Sequence, residues 1–237
     1  MRKMIFLFVS FLAFSAMAEE ILDEPAEPAK PAAAAEVSPE KPDQEWRFAL
    51  GLGLSLSSKL KFAKGTATIT GLGNQDFEAD MDYKNALNLN FEGRFLPTEA
   101  WGWLFGLQID GEREFDSGTA KVGGNTNPLS GSSAGPKIQM SNIYGNAAYR
   151  WDHVYIPFGL NISTVKATMP AGFSGTSDES GGLGLQFGVG YLPTERVAIE
   201  LMSRVLAMKV KTTTATSTID YGTGYLSSLL VMGKYIF

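Results

Sequence analysis

Large apolar residues alternate with small or polar ones from Trp46 to Phe237, and this alternation restricts the fold more than any other feature of the chain. In WRFALGLGLSL, Trp46, Phe48, Leu50, Leu52, Leu54 and Leu56 fall on one side, opposite Arg47, Ala49, Gly51, Gly53 and Ser55. A period of two places these sets on opposite faces of a β-strand. The pattern returns over 87–95, 101–109, 143–151, 154–162, 183–191, 197–205 and 225–237, which predicts eight strands. In the first strand it runs on through Leu60 and Phe62, and in the last it traces back through Tyr221 and Ile219. With KVKTTTATST beside them, these extensions predict a Thr-rich sheet projecting past the spanning part. After residue 18, no apolar run approaches the roughly 18 residues of a transmembrane helix.

The second face is mostly Gly, Ser, Asn and Gln with mixed charges. That suits the outside of a soluble sandwich or the inside of a narrow, wet barrel whose apolar face meets lipid. The connections discriminate. LPTEA, the turn around Asp152–His153, and LPTER are short, whereas 63–82, 114–137, 166–181 and 211–222 are long. Strict alternation of short and long connections is the pattern of a transmembrane, antiparallel, up-and-down β-barrel with periplasmic turns and external loops. The near repeats FLPTEAW and YLPTERV are turns in which Pro presets φ. Trp46, Phe95, Trp101, Trp103, Tyr149, Trp151 and Tyr191 collect near the short-turn rim, with Tyr235 and Phe237, as an aromatic girdle at one headgroup level. The final strand must pair with the first, because an open edge in hydrocarbon leaves backbone groups without partners. An extra hairpin within 63–82 would make ten strands instead of eight.

Leu229, Val231, Tyr235 and the terminal Phe237 resemble the assembly signal of outer-membrane barrels, with Gly233 departing from the usual larger apolar residue. Residues 46–237 resemble the small eight-stranded family of the OmpA transmembrane domain, OmpX and OmpW. The resemblance implies an outer-membrane location in a Gram-negative-type cell and folding by the barrel-assembly machinery. It also implies contact with outer-membrane lipids and lipopolysaccharide, and leaves the activity open, since the family holds adhesins, small pores and proteins of other roles.

The start of the chain is of another kind. Arg2 and Lys3, an apolar run over 5–14 and Ala16-Met17-Ala18 make residues 1–18 a signal peptide. Residues 19–45 hold nine acids against Lys30 and Lys41 and are rich in Pro and Ala, which predicts a disordered periplasmic tether. At roughly 3.1 Å per residue it would reach on the order of 80 Å. From residue 46 onward sixteen acidic residues balance sixteen basic ones, so the net charge gives no reason to expect a nucleic-acid partner.

There is no Cys and one His, which excludes thiolate metal sites and leaves little for His-based ones. No cofactor or metal is expected. His153 falls in a short turn, at the rim away from the outer leaflet, and reads as a solvated turn residue. Nine charges are expected to face inward: Arg47, Glu92, Arg94, Asp110, Glu112, Arg150, Glu200, Arg204 and Lys234. In so narrow a tube they would form a salt-bridged polar network that plugs or gates the lumen. Asp76, Glu78, Asp80 and Asp82 share one side of an extended segment at the outer rim, as a solvated loop or as a divalent-cation and lipopolysaccharide contact. The expected role is non-enzymatic: a monomeric barrel whose loops meet an external ligand or another cell. The alternatives are a narrow gated channel for ions or small apolar solutes, and a lipid-modifying enzyme.

Overall fold

The computed structural model describes residues 45–131 and 135–237, so the expected signal peptide and nearly all of the acidic tether lie outside the described residues. The strands are β1 (Glu45–Ile69), β2 (Gly73–Tyr83), β3 (Ala86–Leu96), β4 (Trp101–Asp110), β5 (Phe115–Val122) and β6 (Asn125–Ser130). They continue as β7 (Lys137–Trp151), β8 (Val154–Thr168), β9 (Gly175–Gly181), β10 (Leu183–Thr194), β11 (Val197–Thr214) and β12 (Ser217–Ile236).

Eight of them close an antiparallel ring in the order β1, β3, β4, β7, β8, β10, β11, β12, with β12 returning to β1. Leu50 lies opposite Tyr235 in that closing ladder, and the Phe237 amide adds a last bond to the Phe48 carbonyl at 2.8 Å. Closure leaves no open edge where the wall meets hydrocarbon. Leu52, Leu87, Phe105, Ile162, Leu185 and Phe187 are among many large apolar side chains exposed around this ring. So wide an apolar exterior is stable only against lipid.

The other four strands prolong the wall past the ring. β2 leads into β3 through Lys84–Asn85, β5 follows β4 after residues 111–114, β9 leads into β10 across Gly182, and β6 folds back on β5. In this upper section the ladder order is β9, β11, β12, β1, β2, β5, β6. Much of the chain expected as long loops is therefore wall. The period of two persists there, but its phase is reversed.

The reversal has local causes. Pairing of β1 with β12 slips between Leu56 and Lys59, so even-numbered residues that face lipid below this point face inward above it. One inserted residue flips every later side chain. Leu60 and Phe62 are thus interior residues, where the continuous pattern had placed them on the lipid side. Ile219 and Tyr221 turn inward in the same way beyond Gly222, whose φ of +69° suits Gly. The breaks at Lys84–Asn85 and at 111–114 do this for β2 and β5. Outside, the upper wall is charged: Lys59 meets Asp82 at 3.4 Å, Lys121 meets Glu78 at 3.6 Å and Lys61 meets Asp80 at 3.8 Å.

One seam interrupts the upper wall. The β8–β10 ladder ends at Ile162 opposite Leu183, followed by the Ser163 amide on the Gly182 carbonyl at 3.0 Å. Beyond it, β9 ladders with β11 and β8 with β7, and among the described residues no ladder joins β8 to β9.

Candidate functional site: an ionic floor beneath an apolar chamber

Inward positions in the ring carry the polar face, and their charges gather in two layers. The lower layer centres on Glu92, which is 3% exposed. Glu92 and Arg94 are two apart on β3 and so share a face. Glu92 accepts from Lys234 Nζ at 2.6 Å, the Tyr144 hydroxyl at 2.6 Å and Arg94 Nε at 2.7 Å. Lys234 also meets Glu200 at 2.7 Å, and Arg94 Nη2 reaches Glu200 at 3.3 Å. The Tyr155 hydroxyl donates to Glu200 and lies 3.1 Å from Arg94 Nη2. Gly106 and Gly190 make room for these rings, since a Cβ at either would overlap Tyr144 or Tyr155.

The upper layer centres on Asp110. Its carboxylate accepts from Arg113 Nη2 at 2.6 Å and from Arg204 Nη2 and Asn88 Nδ2. Arg204 further reaches Ser228 at 2.9 Å, Asn142 at 3.2 Å and Ser55 at 3.2 Å, which ties β11 to β12, β7 and β1. Gln108 donates to Asn88 at 2.8 Å, and Gln186 to Asn146 at 2.9 Å. Donors and acceptors from across the ring meet in these layers, since the interior of an eight-stranded barrel is just wide enough for side chains to fill.

Of the nine charges expected inside, Glu92, Arg94, Asp110, Glu200, Arg204 and Lys234 are brought together here. Arg47 is half-buried at the short-turn mouth, opposite Arg94 in the ladder. Arg150 is half-buried near the same rim, donating to the Asp152 carbonyl at 3.0 Å. Glu112 requires a correction: it is exposed and pairs with Lys137 at 3.1 Å. The strand break at 111–114 shifts the inward phase by one, and Arg113 takes the interior place. Arg113, Tyr144 and Tyr155 were missed as network members. For the tyrosines a signal existed, because a large hydroxylated ring among Gly and Asn on the polar face has only the lumen to fill.

Above the upper layer the interior becomes apolar. Leu60, Phe62, Met81, Phe115, Met140 and Met208 belong to one buried cluster drawn from six strands of the upper wall and ring. It encloses a cavity of about 20 Å³, lined in part by Tyr83, Ile138, Met169 and Tyr221, with space for about one water molecule. Burial pushes the Tyr83 hydroxyl well above the ordinary phenol range.

No family model and no curated protein matches the sequence. Among solved structures, the outer membrane protein OprG from Pseudomonas aeruginosa superposes with a TM-score of 0.53 at 13% identity, covering 82% of this chain and 97% of that one. This chain has an outer-membrane β-barrel fold. AlkL in lipid bilayers superposes at 0.49 with 14% identity, covering 91% of this chain and 97% of that one. Ail, the attachment invasion locus protein of Yersinia pestis, does so at 0.38 with 11% identity, covering 81% and 99%. At these identities the likeness is one of fold, and the OprG superposition carries it.

The remaining sequence-predicted groups take the following places on the outer-membrane barrel. Trp46 stacks on Phe95 at 5.1 Å and Trp101 meets Tyr149 at 5.1 Å, at the short-turn end with exposed Trp103, Trp151 and Tyr191. Leu229, Val231, Tyr235 and Phe237 face outward, and the last two rings touch at 5.2 Å. His153 is exposed in the turn, with Nε2 3.5 Å from Asp152 Oδ1. Asp76, Glu78, Asp80 and Asp82 line the outer surface of β2, the last three facing lysines, and among the described residues no three His, Cys, Asp or Glu converge as a metal-ligand group.

Proposed function

We propose that this barrel accepts small apolar solutes from the external side into the chamber and excludes ions from its lumen. The observation that carries this reading is the inversion of interior polarity: thirteen buried apolar residues cluster above two layers of mutually paired charges. A surface protein with no use for an apolar interior could leave its long connections solvated. Here they are largely spent on walls whose charged side meets water and whose apolar side faces in, which favours containment over reach to another cell. The floor blocks straight passage to the periplasm. The unladdered seam between β8 and β9 starts level with the lipid-facing Ile162 and Leu183. Parting of β8 from β9 there would open a sideways exit into the bilayer, where an apolar solute gains about 25 cal/mol for each Å² removed from water.

The test pairs two measurements on the full-length protein in bilayers. Planar recordings are expected to give no discrete ion conductance. A labelled apolar solute such as toluene or decanol is expected to bind, and Ala79→Trp, which puts a large ring into the buried cluster, is expected to abolish binding. Ion steps in the wild type, or no binding of either solute, would overturn the reading.

A further inference from the structure

Among the described residues, seven charged side chains are buried in the barrel: Glu92, Asp110 and Glu200 against Arg94, Arg113, Arg204 and Lys234. One positive charge is in excess. The lower layer balances within itself, two carboxylates to two bases, so the excess belongs to Asp110 with Arg113 and Arg204. Every guanidinium nitrogen of Arg204 has an acceptor. Arg113 does not match it. Its Nη2 reaches Asp110, while Nε and Nη1 are buried without a partner. Asn142 Nδ2, on the neighbouring wall, is a third buried donor without an acceptor.

The position of Arg113 gives this imbalance a meaning. The residue is 0% exposed. Its backbone exchanges hydrogen bonds of 2.7 and 3.0 Å with Ile138, which lines the apolar cavity, and the next inward residue along the chain is Phe115. Arg113 therefore stands where the ionic floor meets the apolar chamber. A buried cation with two idle donor nitrogens is unfavourable until an acceptor arrives. The Nη1 amino group of a guanidinium can donate a charge-assisted hydrogen bond to a carboxylate. Met81, Met140 and Met208 belong to the cluster that Ile138 and Phe115 join, and these flexible thioethers would have to move apart to widen its cavity of about 20 Å³ for an incoming chain.

We infer that the chamber takes an amphiphile, an apolar chain ending in one anionic head, with the head on Arg113 Nη1 and the chain among the methionines. This rests on the chamber reading above and adds the head-group. The carboxylate would neutralise the odd charge of the upper layer and give the Nη1 donors an acceptor. A neutral solute of the same length would fill the chamber and leave those donors idle.

The experiment compares decanoate, decanol, acetate and chloride by isothermal titration at pH 7.5, on the full-length protein in nanodiscs of zwitterionic lipid. Decanoate is expected to bind at least about tenfold more tightly than decanol, the ratio that one charged hydrogen-bonded contact supports. Arg113→Met is expected to remove the preference, so that the variant binds decanoate no more tightly than it binds decanol, and Arg113→Lys is expected to fall between. Equal binding of decanoate and decanol to the wild type would overturn the inference and leave the chamber standing. Binding of neither would remove the chamber and the inference together. Acetate or chloride displacing decanoate at equal concentration would assign Arg113 to a small free anion and overturn the amphiphile. Discrimination surviving in folded Arg113→Met would also overturn it, and the wild-type ratio decides the matter even if that variant does not fold.

Discussion

Replacing Glu92 by Gln keeps the side-chain volume and removes the charge on which the lower layer converges. Lys234 Nζ at 2.6 Å and Arg94 Nε at 2.7 Å both lose a counter-charge, and the Tyr144 hydroxyl at 2.6 Å meets an amide in place of a carboxylate. Coulomb's law gives roughly 6 kcal/mol for unit charges at such a separation with an effective dielectric constant near 20. Desolvation of the ions cancels much of that in the intact layer. In the variant, the cations stay buried and the attraction is gone, so the expected loss is about 3–5 kcal/mol. Adding Lys234→Met removes the stranded cation and leaves Arg94 facing Glu200 as a balanced pair. The double variant should recover about 2 kcal/mol relative to the sum of the singles. Urea unfolding in lipid bilayers, followed by tryptophan fluorescence, measures both quantities, because all four Trp side chains sit exposed on the lipid-facing surface and leave it on unfolding. A loss below about 1 kcal/mol for Glu92→Gln, or strict additivity of the pair, would refute the view that the layer is held by paired charges.

Gly106→Ala should cost about 1–3 kcal/mol in the same titration, because its Cβ would stand 2.6 Å from the Phe91 carbonyl and strike Tyr144, whereas Gly93→Ala, whose nearest neighbour is the Trp46 ring at 3.4 Å, should be near neutral. Phe237→Ala removes the ring contact with Tyr235 but keeps the backbone bond to Phe48, so it should leave unfolding nearly unchanged and lower the yield of folded barrel in membranes, measured by heat-modifiable migration on gels. The Glu114 carboxyl is held below its ordinary range, first by the hydrogen bond from Lys84 at 3.0 Å and then by the Lys137 charge. A depressed carboxyl contributes stability above its unfolded pKa and loses it as pH falls through the folded value. Lys84→Ala should therefore raise the Glu114 midpoint in an NMR titration, and an unmoved midpoint would refute the assignment.

Much of the barrel was legible because its physics is local. Alternation around Leu50, Leu89 and Leu185 requires a strand whatever its neighbours are, and the absence of a long apolar run leaves only a closed sheet to cross the membrane. The polar face likewise shows that Glu92, Arg94, Asp110, Glu200, Arg204 and Lys234 must find one another, since no charge can stay alone in so narrow a lumen. What could not be read is which residue faces in after a slip. Glu112 and Arg113 differ by one position, and nothing in DGEREF says which of them is interior; the Arg113–Ile138 bridge decides it. Leu60 and Phe62 pose the same problem.

The sequence by itself determined that this chain is an antiparallel barrel with an apolar exterior and a charged lumen, because period and composition act within each strand and the alternation of short and long connections separates a barrel from a sandwich. Tertiary structure alone decided where the two faces exchange. A bulge is defined by the partner strand that it slips against, and so is the apolar chamber that lies above it with Arg113 at its base.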